Sequence, residues 1–502
     1  MDTTENEISS PWLSATGAEL RAGLSEDLEV DVAVVGGGIV GVAAANELAG
    51  AGLSVALVEA RSIASGVTGN STAKLSALHG LIYRRLRRDH GDESLRAYAE
   101  LSRSGLERIF EIAEREGIEC ALERRPAYTY TEDEARRGEV EEEVEAAGAA
   151  GLGATFTQTT DLPFAVAAAV RLDEQAQFDP VDWTRGLAGS FADRGVHVHE
   201  RTRANQVRSR DGKLRVGTAS GAEIRCEHVI VATHMPFLDR GLYFARLRPE
   251  RSYAVAGPAN GTAPEGMYLS VEKPTRSIRS FTDRDGVVQV IVGGEGHKAG
   301  QSDPPDRYRR LEGDLADRFD VDRVAYRWAA HDLISADGLP FVGPLSPLDG
   351  RILTATGFNK WGLAGGVGAA PILRDLVLGR ENALAERFDP ARLNLRAALP
   401  AMVKEGADFS LRFAVDRLKR NPSADPAPGE GLIAGAGVEQ HAVYRDDAGE
   451  LHRLSARCTH LGCIVDWNPV ERTWDCPCHG SRFEATGEVL QGPAVSPLAR
   501  KD

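Results

Sequence analysis

At 502 residues the chain is longer than one ordinary hydrophobic core organises, so two or three folding units are expected. Its net charge of −15 at pH 7 argues against nucleic-acid or anionic-membrane partners, which need clustered Lys and Arg, and 42% hydrophobic with 26% charged residues is a globular composition. With no membrane-spanning run of about 18 apolar residues and no basic or apolar signal region in the first 25 residues, a cytoplasmic location is expected. Residues 1–29 read as an N-terminal extension.

Residues 31–60 read as a β-α-β unit. An apolar strand at 32–35 runs into GGGIVG, a helix follows at about 39–50, and a second strand at 54–58 ends at Glu59. Gly36, Gly38 and Gly41 fill the G-x-G-x-x-G positions: one for the tight turn, one for backbone approach to a pyrophosphate, one for helix–strand packing. The helix N-terminus at Ile39 and Val40 would face the phosphates, and Glu59 would accept from a ribose hydroxyl, with Ala60 and Arg61 beside it. This local pattern does not choose between FAD and NAD.

Further along, 131–147 is charge-dense and reads as a solvated helix face. Residues 195–234 suggest a β-meander followed by a buried strand, 282–287 a hairpin, and 351–379 a strand, glycine-rich turn and long apolar helix. An amphipathic helix is expected over 397–420, then a Pro-rich linker ending at 431, and finally a small all-β unit over 432–502. The chain has six cysteines, too few for a disulfide scaffold. Cys120 and Cys226 read as small buried hydrophobes.

The order of GGGIVG, Glu59, RLDEQAQFDPVDW (171–183), VIVATH (229–234) and GFNKWG (357–362) resembles the FAD-dependent D-amino-acid oxidase/glycine oxidase superfamily over roughly 30–380. The resemblance implies an α/β doubly wound FAD-binding domain (about 30–90, 170–240 and 325–380) interleaved with an α+β substrate domain (about 91–169 and 241–324), together filling 30–395. It implies C–N bond oxidation by hydride transfer to the flavin. Ser71, Thr72, Ala73, Lys74 and His79 would lie along the flavin, Val207 near the adenine, and Thr233, Asp337, Gly357, Lys360, Trp361 and Gly362 near the ring. Lys360, Lys74 and Arg279 are the candidate catalytic residues. Either lysine would stabilise charge on the reduced ring, and Arg279 would clamp a substrate carboxylate; His297 and Lys298 are at comparable strand positions. The carboxylate-binding arginine of several relatives has no counterpart in AKLSALHG, which weakens the case for an α-amino acid.

CTHLGC (458–463) and CPCHGS (476–481) set Cys458, His460, Cys476 and His479 in a C-x-H…C-x-x-H pattern. The spacing admits tetrahedral zinc or a two-thiolate, two-imidazole [2Fe–2S] cluster. The full strings resemble the Rieske family over roughly 432–498. That resemblance implies a [2Fe–2S] cluster on these four ligands, a Cys463–Cys478 disulfide, and a Ser481 hydrogen bond to the cluster. High-potential relatives carry a tyrosine where Phe483 stands, so an intermediate potential is expected. A second dinucleotide motif is not evident. The expected substrate is a small organic molecule, with the cluster passing electrons to an external acceptor. In alternative readings the cluster accepts electrons from an external donor, or serves as a structural or redox-sensing module on an oxidase.

Overall fold

The computed structural model describes residues 8–14, 20–192, 194–300, 306–392, 425–436 and 439–501, with the short stretches 398–399, 402–403 and 420–421. The unalternating apolar runs Val32–Val35 and Val55–Val58 are buried on both faces, as parallel strands covered by helices require. They lie inside a six-stranded sheet whose order is Phe341–Ser346, Asp349–Thr356, His228–Val231, Val32–Val35, Val55–Val58, Val196–His199. Only the Phe341–Ser346 edge runs antiparallel. Helix Ile39–Gly50 follows the glycine turn as expected. Val196–His199 departs from the sequence reading, joining this sheet rather than the meander. The meander consists of Ala204–Arg210, Lys213–Thr218 and Glu223–Cys226, and Leu28–Glu29 of the expected extension adds to its edge.

A nine-stranded sheet forms the second layer. Its long strands Leu247–Pro258, Val288–Lys298 and Tyr326–Ser335 pair antiparallel. The hairpin expected at 282–287 joins Arg276–Thr282 to Val288–Lys298, with Asp283 Oδ1 accepting from Asp285 N and Val287 N. Helices Ile82–Glu116 and Gly362–Val377 cross at Gly105 and Gly368, where a Cβ would lie 1.9 and 2.0 Å from the opposing carbonyls. The glycine-rich run after 361 therefore serves helix packing.

Helix Arg137–Ala149 buries Val140, Ala146 and Ala147, and its charged residues form a solvated face as expected except for Glu143. Glu143 is buried and accepts from Tyr83 N and Arg84 N, both at 2.9 Å, capping the next-door helix Ile82–Glu116. Burial pushes its carboxyl up to about 7, against those two hydrogen bonds.

The C-terminal unit has two four-stranded antiparallel sheets. Arg420–Asn421, in the region expected as helix end and linker, pairs with the Gly431–Ala436 strand. The helix expected over 397–420 lies outside the described residues apart from 398–399, 402–403 and 420. No described helix is long and apolar enough to cross a membrane.

Candidate active site

A cavity of about 760 Å³ is lined from both large sheets. Gly36, Gly38, Ile39 and Val40 line it at the helix start, followed by Glu59, Ala60 and Arg61. Ser71, Thr72, Ala73 and Lys74 contribute a second segment, and Thr233, Gly357, Lys360, Trp361 and Gly362 complete the predicted set that reaches it. Glu59 accepts from Gly37 N at 2.7 Å and from Arg61 N at 2.9 Å, which fixes its carboxylate beside the glycine turn. Gly36 has φ +113°, and Gly41 packs behind it rather than lining the cavity. A helix N-terminus, a fixed acidic acceptor and close-packed glycines at 36 and 41 suit a dinucleotide pyrophosphate and ribose.

Six other predicted residues do not reach the cavity lining. His79 is buried: Nε2–H donates to Ser76 O (2.5 Å), and Nδ1 accepts from the Tyr98 hydroxyl (2.7 Å). Both nitrogens are engaged, so its part is to stack under Trp361, ring centroids 4.2 Å apart. Val207 lies beyond the lining, with its carbonyl held by Arg240; Thr202, Arg203 and Ala204 line the cavity instead. Asp337 is consumed by an ion pair with Arg392 at 2.8 Å. Arg279 is buried against the rings of Trp12 and Phe281, at 5.0 and 5.7 Å, and does not reach the cavity lining to clamp a substrate there. His297 bonds Tyr253 (3.0 Å), and Lys298 acts electrostatically on His479; neither lines the cavity.

The two candidate lysines differ. Lys360 has φ +77°, a strained geometry for a residue with a side chain. Its ammonium meets Glu250 at 2.7 Å and Asp332 at 3.6 Å, so its charge is already balanced. Lys74 is buried and donates to Tyr268 O at 2.8 Å, a neutral partner. Burial, then the charge of Arg279, brings Lys74 down to about 7. Arg279 thus acts on the cavity through Lys74.

In the C-terminal unit the Cys458 and Cys476 thiols are hydrogen-bonded to each other, and the His460 and His479 rings stand edge-to-face 5.0 Å apart. Cys463 and Cys478 are joined, S–S 2.00 Å. The sulfurs of Cys463, Cys476 and Cys478 lie within 4.8 Å of one another, but the disulfide uses two of them and leaves Cys476 as the free thiol of the three. His460 Nε2–H donates to Asp239 at 2.9 Å, while Nδ1 is buried with no partner among the described residues. A buried imidazole nitrogen without a partner, beside two facing thiols, fits iron ligation. Ser481 Oγ accepts from Ala494 N (3.0 Å) and hydrogen-bonds the Cys458 sulfur. Phe483 is fully buried and paired with Trp474, leaving no hydroxyl at that position. Ser481→Ala is expected to lower the cluster's midpoint potential in an EPR-monitored titration; an unchanged potential would show that the hydroxyl does not address the cluster.

The two units share the site. Leu490, Gln491, Gly492, Ala494 and Val495 line the cavity alongside the glycine turn. Arg203 donates to Val489 O at 2.7 Å across the boundary. Sequence reasoning missed these residues, since no local pattern marks a contact made across hundreds of positions, and it also missed Thr68, whose Oγ1 accepts from Ile39 N (3.0 Å).

Two family models match: FAD dependent oxidoreductase over residues 31–376 and Rieske [2Fe-2S] domain over 422–501. YhfW of Bacillus subtilis (strain 168), which carries the name of a Rieske 2Fe-2S iron-sulfur protein, is 34% identical over 98% of this chain and 97% of its own. The cytochrome b6-f complex iron-sulfur subunit of Cyanothece sp. is 44% identical over 19% of this chain and 50% of its own. Among solved structures, glycine oxidase from Geobacillus kaustophilus superposes with TM-score 0.61 at 20% identity, covering 73% of this chain and 99% of that one. L-proline dehydrogenase from P. horikoshii superposes with TM-score 0.60 at 18% identity, covering 74% and 98%.

Proposed function

The chain belongs to the FAD dependent oxidoreductase family and carries a C-terminal Rieske [2Fe-2S] domain, and on that premise we propose that it oxidises a C–N bond of an amine or amino-acid-like molecule and releases the electrons singly through the cluster to an external acceptor. It is a flavin oxidoreductase that binds FAD and a [2Fe–2S] cluster. The flavin supplies a hydride acceptor and the cluster a one-electron centre. The observation that carries the reading is the shared wall: residues 490–495 of the cluster unit close the same cavity that the glycine turn opens. The substrate class is supported by the names of the structural neighbours, glycine oxidase and L-proline dehydrogenase. Anaerobic stopped-flow with a panel of amines and amino acids tests it: flavin bleaching should precede growth of the cluster EPR signal. A cluster that stays oxidised beside a reduced flavin would defeat the electron route.

Lys74 is the candidate for stabilising charge on a reduced ring, because no carboxylate pairs with it among the described residues. A lysine is cationic below its pKa, so this support is present below pH about 7 and is lost as pH rises through that value. Lys74→Met should therefore lower the flavin midpoint potential below pH 7 and have little effect above it. Spectroelectrochemical titration across that range checks it; an offset independent of pH would remove Lys74 from this role.

A further inference from the structure

A half-buried histidine, His234, and a buried one, His331, stand between the cavity and the cluster loop. On the Tyr326–Ser335 strand, Ala330 and Asp332 line the cavity, so His331 between them points the opposite way. It points at the cluster unit: a Cβ on Gly480 would lie 2.3 Å from His331 Cε1 and 2.6 Å from Nε2. Gly480 sits between the ligand His479 and Ser481, with φ +76°. His234 lines the cavity, and its ring hydrogen-bonds the main chain of His331. The two rings meet edge-to-face with centroids 5.6 Å apart. His331 Nδ1 and Nε2 and His234 Nε2 are buried with no partner among the described residues. Leaving such atoms unpaired is unfavourable, so packing alone does not account for two imidazoles here; apolar side chains would fill the space at less cost.

Resting on the proposed electron route, we infer that His234 and His331 form the bridge through which that route runs, positioning the cluster loop against the cavity wall in continuous van der Waals contact. In the step they serve, one electron leaves the reduced flavin and enters the oxidised cluster, and no bond forms or breaks. The second electron follows after the cluster has passed the first to a one-electron acceptor protein. The approach is held on both flanks. Arg251 pairs with Glu471 across the boundary, and a Cβ on Gly300 would lie 2.4 Å from Pro477 Cα.

The test uses the full chain with both cofactors bound and reduces the flavin photochemically, with no substrate. Flavin absorbance and the cluster EPR signal are followed under anaerobic conditions. In the unaltered protein the cluster should take one electron after the flash. His331→Ala and His234→Ala open a void in a close-packed wall and should slow that transfer on the order of tenfold, at unchanged cofactor content and flavin photoreduction. Gly480→Ala pushes the loop off His331 and should slow it as well. If His331→Ala sheds a cofactor, His331→Gln keeps the reach without the ring and replaces it. Transfer at the original rate in the histidine variants overturns the bridge alone. No transfer in the unaltered protein overturns the electron route and the bridge with it. Transfer after photoreduction but none with any amine removes the substrate class and leaves the bridge standing.

Discussion

Gly41→Ala yields a protein that purifies without flavin. A Cβ at this position would lie 1.9 Å from Gly36 O, a main-chain atom. Main chain cannot rotate out of the way as a side-chain tip can, so helix Ile39–Gly50 must move off the turn. That turn is the pyrophosphate cradle, and Gly36 is itself confined, at φ +113°, with Ala232 O 2.4 Å from where its Cβ would be. The overpacking costs about 1–3 kcal/mol of stability, and the larger consequence falls on binding, because the helix start at Gly38 loses its aim at the cavity. The ratio of flavin absorbance to protein measures the loss. The cluster EPR signal should persist, since the four ligands lie in the C-terminal unit. Flavin at full occupancy in the variant would show that the turn does not hold the cofactor.

Glu471→Ala should be the most destabilising single change at the boundary between the two units. Arg251 is 1% exposed and its guanidinium meets Glu471, whose other oxygen meets Arg482. Burial works against the Arg251 charge, but Glu471 and then Asp475 outweigh it and hold the guanidinium firmly protonated. Arg251 Nε and Nη1 already lack partners among the described residues. Removing Glu471 strands a buried cation, which costs about 3–5 kcal/mol. The expected results are a lower melting temperature and loss of flavin-to-cluster transfer, with the flavin still bleached by substrate. Pairing the change with Arg251→Met removes the stranded charge and should recover much of the melting temperature. A single variant that melts like the unaltered protein would show that the contact does not hold the units together.

Much of the site was legible because its chemistry is local. GGGIVG with Glu59 announces a nucleotide turn within about thirty residues, the span of a β-α-β unit. CTHLGC and CPCHGS carry the four residues expected to hold the cluster and both disulfide cysteines in two short strings. Residues whose role depends on which way a side chain points were less legible. Arg279 and Lys74 looked alike as candidate cations, yet Trp12 and Phe281 enclose the first and the cavity receives the second. Glu143 looked like one more solvated acid until the start of the Ile82–Glu116 helix claimed it. His79 read as a flavin contact, and its two hydrogen bonds make it a support for Trp361.

The sequence by itself marked a nucleotide turn, a Cys/His cage and the doubly wound and all-β units, because each is written as a short spacing that one turn or one strand pair enforces, and its resemblance to two families named the two cofactor classes. The tertiary structure decided how the units meet. Residues 490–495 close a cavity opened at residue 36, Arg251 finds Glu471, and His331 reaches Gly480. These pairs are separated by more than a hundred residues and share no periodicity. Only the packing of two finished surfaces selects them, and that packing makes one enzyme of two recognisable halves.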